Sequence, residues 1–331
     1  MRKFLVFIFL LLLVAAGWIG YSLLVPAGPT QQTFVEFRQG SSAKHIATDL
    51  HNAGIIRSRV AFLSLHAFKH KTLKAGEYMF DHPATPIEIY NRIAHGDIYA
   101  RILSIPEGFN MFDIAAAVEH AGIGSQQDFL NQARVQTALV RDLDPHAQSL
   151  EGYLYPDTYR ISRKQGPADV VIAMVKRFHQ EAKILGLNGN THQIVTMASI
   201  VEKETAVPEE RSVVAGVFYN RLAQHMVLAT DPSVIYAALL AGHYRGTIYQ
   251  SDLQFQSPYN TYRVQGLPPG PICNPGAASL KAAMNPTQTD YLYFVSDNNG
   301  HHRFARTPEE HAQNVQAYRA AVNGRNHVGN Q

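Results

Sequence analysis

Two glutamates one residue apart, Glu202 and Glu204, stand in the run Ala198-Ser-Ile-Val-Glu-Lys-Glu-Thr205. A carboxyl half-buried beside apolar groups such as Ala198 and Val201 is pushed toward its neutral form, which suits general acid/base work. The spacing of Ile194, Met197, Ala198 and Val201 predicts a helix over Thr191–Ala206. At about 100° per residue its apolar face centres near Ile194 and Val201, with Lys203 opposite, and the two carboxylates fall on opposite flanks, about 160° apart. They cannot act as one close pair, so at most one points into a given cleft. The competing reading is two glutamates rimming a solvated helix. Spacing leaves open both that choice and the choice between the glutamates.

Other chemistry is thinner. There is no Walker A sequence, no His-Glu-x-x-His, no Gly-x-Ser-x-Gly and no paired-cysteine motif. His66 and His70 have the i, i+4 spacing of metal ligands but lack a third, and His301-His302 is no stronger. Cys273, the single cysteine, has no base beside it. Two loops fit a carbohydrate better. Glu151-Gly-Tyr-Leu-Tyr-Pro-Asp-Thr-Tyr159 and Ser257-Pro-Tyr-Asn-Thr-Tyr262 mix rings, which cover the apolar faces of sugars, with amide, hydroxyl and carboxylate groups that bond hydroxyls. Ordinary core aromatics are the alternative.

The elements that must position these groups form an α+β chain. Of 331 residues 46% are apolar and 17% charged, which excludes a disordered chain, and a net charge of +3 is too small to argue for nucleic acid. Phe4–Val25 is free of charge and follows Arg2 and Lys3. It is long enough for a single-pass helix with its N-terminus in the cytoplasm, Trp18 and Tyr21 sitting toward the far interface. A cleaved signal peptide competes with that reading, although its apolar stretch would be unusually long. Residues 1–25 are thus read as cytoplasmic tip and anchor, and 26–32 as a linker. A repeat follows. Gly40, Ile46-Ala47, Leu50 and Ala53-Gly54-Ile55 recur 68 residues later as Gly108, Ile114-Ala115, Val118 and Ala121-Gly122-Ile123. More loosely, Ala75–Phe80 echoes Glu151–Tyr155, so two strand–helix–helix–strand units are expected. Beyond residue 191 come helices opening at Thr191, Pro208 and Thr230-Asp231-Pro232. A long Gln/Pro/Tyr/Asn loop over 249–276, a hairpin around Asp297–Gly300 and a capping box at Thr307–Glu310 complete the chain.

These segments together resemble the endolytic murein transglycosylases of the YceG-like family. The resemblance is carried by the three runs quoted above, the first extended back to Met197, and by Val217-Phe-Tyr-Asn-Arg-Leu222, Thr230-Asp-Pro-Ser-Val-Ile-Tyr236, Gly266-Leu-Pro-Pro-Gly270 and Tyr291-Leu-Tyr-Phe-Val295. It spans essentially the whole chain. It implies a LysM-like βααβ subdomain over 33–100 and a catalytic domain over 101–331, with a repeat-like part at 101–180 and a helical part at 191–331. It implies Glu202 as the catalytic acid and Glu204 as a supporting carboxylate. Glu151, Tyr155, Asp157, Asp231, Asn260, Thr261 and Tyr262 are the expected substrate-binding residues. No metal or organic cofactor is required, because the substrate's own MurNAc 6-hydroxyl serves as nucleophile and leaves a 1,6-anhydro end. The implied setting is the inner membrane with a periplasmic body, and the implied partners are glycan strands and bifunctional penicillin-binding synthases. A noncatalytic peptidoglycan-binding scaffold, or a hydrolase pairing Glu202 with Glu151 or Asp231, are the rival readings.

Overall fold

The structure, a computed structural model, describes residues 2–328, with side chains through residue 322. It divides into two compact units, 1–100 and 101–331.

In the first unit α1 covers Arg2–Leu24, starting two residues earlier than the uncharged run. Among the described residues it is the one helix long and apolar enough to cross a membrane. At ~1.5 Å per residue it matches a hydrocarbon layer of ~30 Å. Then follow β1 (Thr33–Phe37), α2 (Ala43–Asn52), α3 (Arg59–Lys69), β2 (Gly76–Phe80) and α4 (Pro86–His95). Ser42 and Ser58 cap α2 and α3, and Thr85 with Glu88 forms a capping box on α4, satisfying otherwise orphaned N–H groups. β1 and β2 pair antiparallel, Thr33 opposite Phe80. Phe37, Leu50, Phe62, Tyr78 and Tyr90 fill the core beneath them.

The second unit opens with the same order: β3 (Arg101–Ser104), α5 (Met111–His120), α6 (Gln126–Val135), β4 (Thr158–Ile161) and α7 (Pro167–Leu185). β3 and β4 again pair antiparallel, Arg101 opposite Ile161. The first helix of each copy turns into glycine in the left-handed region, Gly54 at φ 70° and Gly122 at φ 65°. The duplicated unit is therefore real at the level of topology, with one correction. The looser echo at Glu151–Tyr155 lies in a turn, and the strand matching β2 is β4, a few residues later. A short 3-10 turn at Thr137–Val140 and the loop after it take up the extra length.

The remainder is α8 (Thr191–Glu204), α9 (Arg211–Ala223) after a 3-10 turn at Pro208–Glu210, α10 (Asp231–Leu240), α11 (Gln250–Leu253), α12 (Ala277–Met284), β5 (Tyr293–Ser296), β6 (His302–Ala305) and α13 (Pro308–Val328). β5 and β6 form the expected hairpin. α8 is buried without a break from Val195 to Val201 and packs on α9, α10 and α12. Such a helix is a core element, not a solvated rim, so both glutamates near its end enter packed surroundings.

Candidate active site

The two glutamates do diverge, as the helical spacing requires, and their surroundings differ in kind. Glu202 is tied down: its side chain is 5% exposed. One oxygen accepts from the Gly276 amide at 3.0 Å, at the N-terminus of α12, and the other from Arg211 Nη2 at 3.3 Å. Glu107 packs against the same glycine and lies 4.0 Å from the same guanidinium. A Cβ on Gly276 would overlap the Glu107 carboxylate, which would have to swing aside. Burial and the charge of Glu202 raise the pKa of Glu107, with Arg211 pulling the other way. On the same side Lys203 Nζ donates to Gly108 O at 3.3 Å. Each Glu202 oxygen thus accepts from one fixed donor of the protein.

Glu204 faces a cavity of about 480 Å³, shared with Arg221, Asp231, Tyr262 and His311 and backed by apolar groups including Phe218 and Phe294. No donor among the described residues bonds its carboxyl. Burial raises its pKa to about 7, helped by the negative charge of Asp231 and opposed by Arg221. The cavity wall is fixed by its own bonds. Tyr262 Oη donates to Asp231 Oδ1 at 2.6 Å. Arg221 is held by the carbonyls of Leu292 and Leu228, both at 2.7 Å, with its guanidinium over the Tyr293 ring.

The structure distinguishes the surroundings of the two glutamates. It places Glu202 in a buried ion pair and gives the open carboxyl to Glu204. Of the other expected residues it brings Asp231 and Tyr262 to the cavity and sends five elsewhere. Asn260 is wholly buried, its amide donating to the carbonyls of Asp252, Leu253 and Phe255 and its oxygen accepting from Tyr262 N, so it folds the loop that carries Tyr262. Thr261 is wholly buried too and accepts from Thr230 N, clipping that loop to the start of α10. Glu151 accepts from Met111 N at the head of α5 and from Asn274 Nδ2 at 2.8 Å. Burial raises its pKa to about 8, so the group is mostly protonated at neutral pH. Tyr155 lies in the core beneath the Arg177 guanidinium, and Asp157 pairs with Arg177 at 2.8 Å. Cys273 is buried against Ser199 O.

Residues 35–317 match the YceG-like family. The chain belongs to that family. A curated relative from Bacillus subtilis (strain 168), named endolytic murein transglycosylase, is 33% identical over 92% of this chain and 90% of its own length. A second of that name, from Streptococcus pneumoniae serotype 2, is 30% identical over 93% of this chain, which spans 63% of the pneumococcal protein. The 2.6 Å crystal structure of a putative yceG-like protein from Listeria monocytogenes superposes with a TM-score of 0.56 at 33% identity, covering 86% of this chain and 99% of that one.

Four residues of this YceG-like site escaped the reading of the sequence: Arg211, Arg221, Glu107 and His311. Arg221 stands in a motif that was noticed, but nothing in Val217–Leu222 signals that its guanidinium turns inward. Glu107 did leave a trace. Its counterpart in the first repeat, 68 residues earlier, is Gln39, a neutral amide where the second copy places a charge.

Proposed function

We propose that this chain is a lytic murein transglycosylase that cuts the MurNAc–GlcNAc bond inside peptidoglycan strands, with Glu204 as its acid/base. The observation that carries this is the buried, donor-free carboxyl of Glu204 at the cavity that holds Asp231, Tyr262 and Arg221. A carboxyl with a pKa of about 7 keeps a substantial neutral fraction near neutral pH. It protonates the glycosidic oxygen as GlcNAc departs. The resulting carboxylate takes the proton of the MurNAc 6-hydroxyl as that oxygen closes on C1, leaving a 1,6-anhydroMurNAc end and a regenerated acid. The charge of Asp231, held by Tyr262, stabilises the oxocarbenium-like cation in between. Glu202 becomes a positioning residue that ties the end of α8 to α9 and α12.

On this reading α1 anchors the body in the inner membrane with the N-terminus in the cytoplasm, so that Glu204 works where new strands emerge and ends their elongation. The βααβ unit at 33–100 serves as a LysM-like glycan-binding module, and a bifunctional penicillin-binding synthase supplies the strands.

Mass spectrometry of glycan strands treated with the full-length protein tests the chemistry. Anhydro ends from wild type and from Glu202→Gln, with none from Glu204→Gln, support it. Cleavage retained by Glu204→Gln and lost in a folded Glu202→Gln protein reverses the assignment. Asp231 in the same cavity favours one second reading, a hydrolase in which it activates water; its product ends are reducing and one water heavier.

A further inference from the structure

His311 is a cavity residue to which the proposed reaction gives no part. It stands in the first turns of α13, where its own N–H bonds Thr307 O at 3.0 Å, and its ring stacks on Tyr293 with centroids 5.2 Å apart and planes at 23°. Its Nδ1 is buried without a hydrogen-bond partner. Burial, followed by the neighbouring Arg221 cation, lowers the pKa of the ring, which is therefore neutral near pH 7. A neutral imidazole carries one N–H, and burying an N–H with no acceptor is costly, so the proton belongs on Nε2. The ring then presents a neutral donor to a cavity whose other polar side chains are two carboxyls, a guanidinium, the buried Thr230 hydroxyl and a phenol already given to Asp231.

The surroundings say what that donor meets. Val315, one turn further along the same face of α13, lines the cavity together with Phe294 and Val295 of β5. A neutral N–H beside an apolar wall matches a group with a carbonyl oxygen and a methyl on one carbon. We propose that His311 is a substrate-positioning residue whose Nε2–H bonds the acetamide carbonyl of an N-acetylated sugar while Val315 and Phe294 receive its methyl group. This rests on the transglycosylase reading of the same cavity.

The test uses full-length wild type, His311→Phe and Val315→Ala on N-acetylated strands and on strands whose amino sugars have been N-deacetylated. Phenylalanine keeps the stack on Tyr293 and removes only ring nitrogens. A lost neutral hydrogen bond predicts a fall in kcat/KM of about three- to tenfold on acetylated strands, carried mainly by KM, with no further fall on deacetylated ones. Val315→Ala, which touches no polar group, shows a smaller loss on the acetylated strands alone and answers the question should His311→Phe not fold. An equal loss on both substrates, or none on either, overturns the proposal while wild type still cuts. If wild type cuts neither substrate, the transglycosylase reading fails and takes this inference with it.

Discussion

On one side of α8 the Glu202 carboxylate accepts from the Gly276 amide and from Arg211, and almost none of it meets solvent. Two residues along, on the other side, the Glu204 carboxyl has no donor among the described residues and opens on a cavity of about 480 Å³. The two groups are chemically identical and share a helix. What separates their roles is where the surrounding backbone puts its donors. A carboxylate with a fixed donor on each oxygen holds elements together, whereas one desolvated beside another negative charge keeps a proton to give away.

The widest gap between the two sides should appear in catalysis. Glu204→Gln preserves shape and removes the transferable proton, so cleavage should fall by about 10²–10⁴-fold with the fold intact by circular dichroism. The same group sets the pH profile. Its folded pKa, raised to about 7, means that the acid is present below that pH and lost above it. The rate should therefore decline by about tenfold per unit on the alkaline side, to be read from initial rates between pH 5 and 9. On the Glu202 side the loss should appear as stability. Glu202→Ala leaves the 11%-exposed Arg211 with only the more distant Glu107 carboxylate and the Gly276 amide without its acceptor, and should cost about 1–3 kcal/mol in denaturant unfolding, with near-wild-type activity in the protein that remains folded. Gly276→Ala pushes the half-exposed Glu107 carboxylate aside at the cap of α12 and should cost about 1 kcal/mol or less. Smallest is Tyr262→Phe, which frees Asp231 and should slow cleavage by about three- to tenfold without moving the unfolding midpoint. A Glu202→Ala protein that is stable but inactive would break the comparison outright.

Much of this fold was written in local signals. The repeat was visible because the helix starts before Ala43 and Met111 and the glycines at 54 and 122 serve backbone needs that recur at a fixed spacing. The existence of a carboxyl near the end of α8 was visible too, as was its divergence from its neighbour by about 160°. Which carboxyl opens on the cavity was not, because the deciding partners are Gly276 and Arg211 for one and Asp231, Arg221 and His311 for the other, brought in by tertiary packing. Asn260 and Thr261 misled for a related reason. Amide and hydroxyl side chains in a polar loop look like sugar ligands, yet here they replace the backbone bonds that a loop between α11 and α12 cannot make for itself.

Asn274 joins Phe109, 165 residues before it, to the Glu151 turn, and the cavity is walled by residues as late as Val315. A chain is made from its N-terminus, and domains close as units in that order. Residues 33–95 contain both partners of their strand pair and a complete core, so that unit has all it needs while the rest is still being synthesised. The Glu204 side does not, because His311 and Val315 of α13 form part of its cavity wall. On the proposed reading, the desolvation that sets up the acid/base therefore waits for the last helix, whose His311 and Val315 line the cavity.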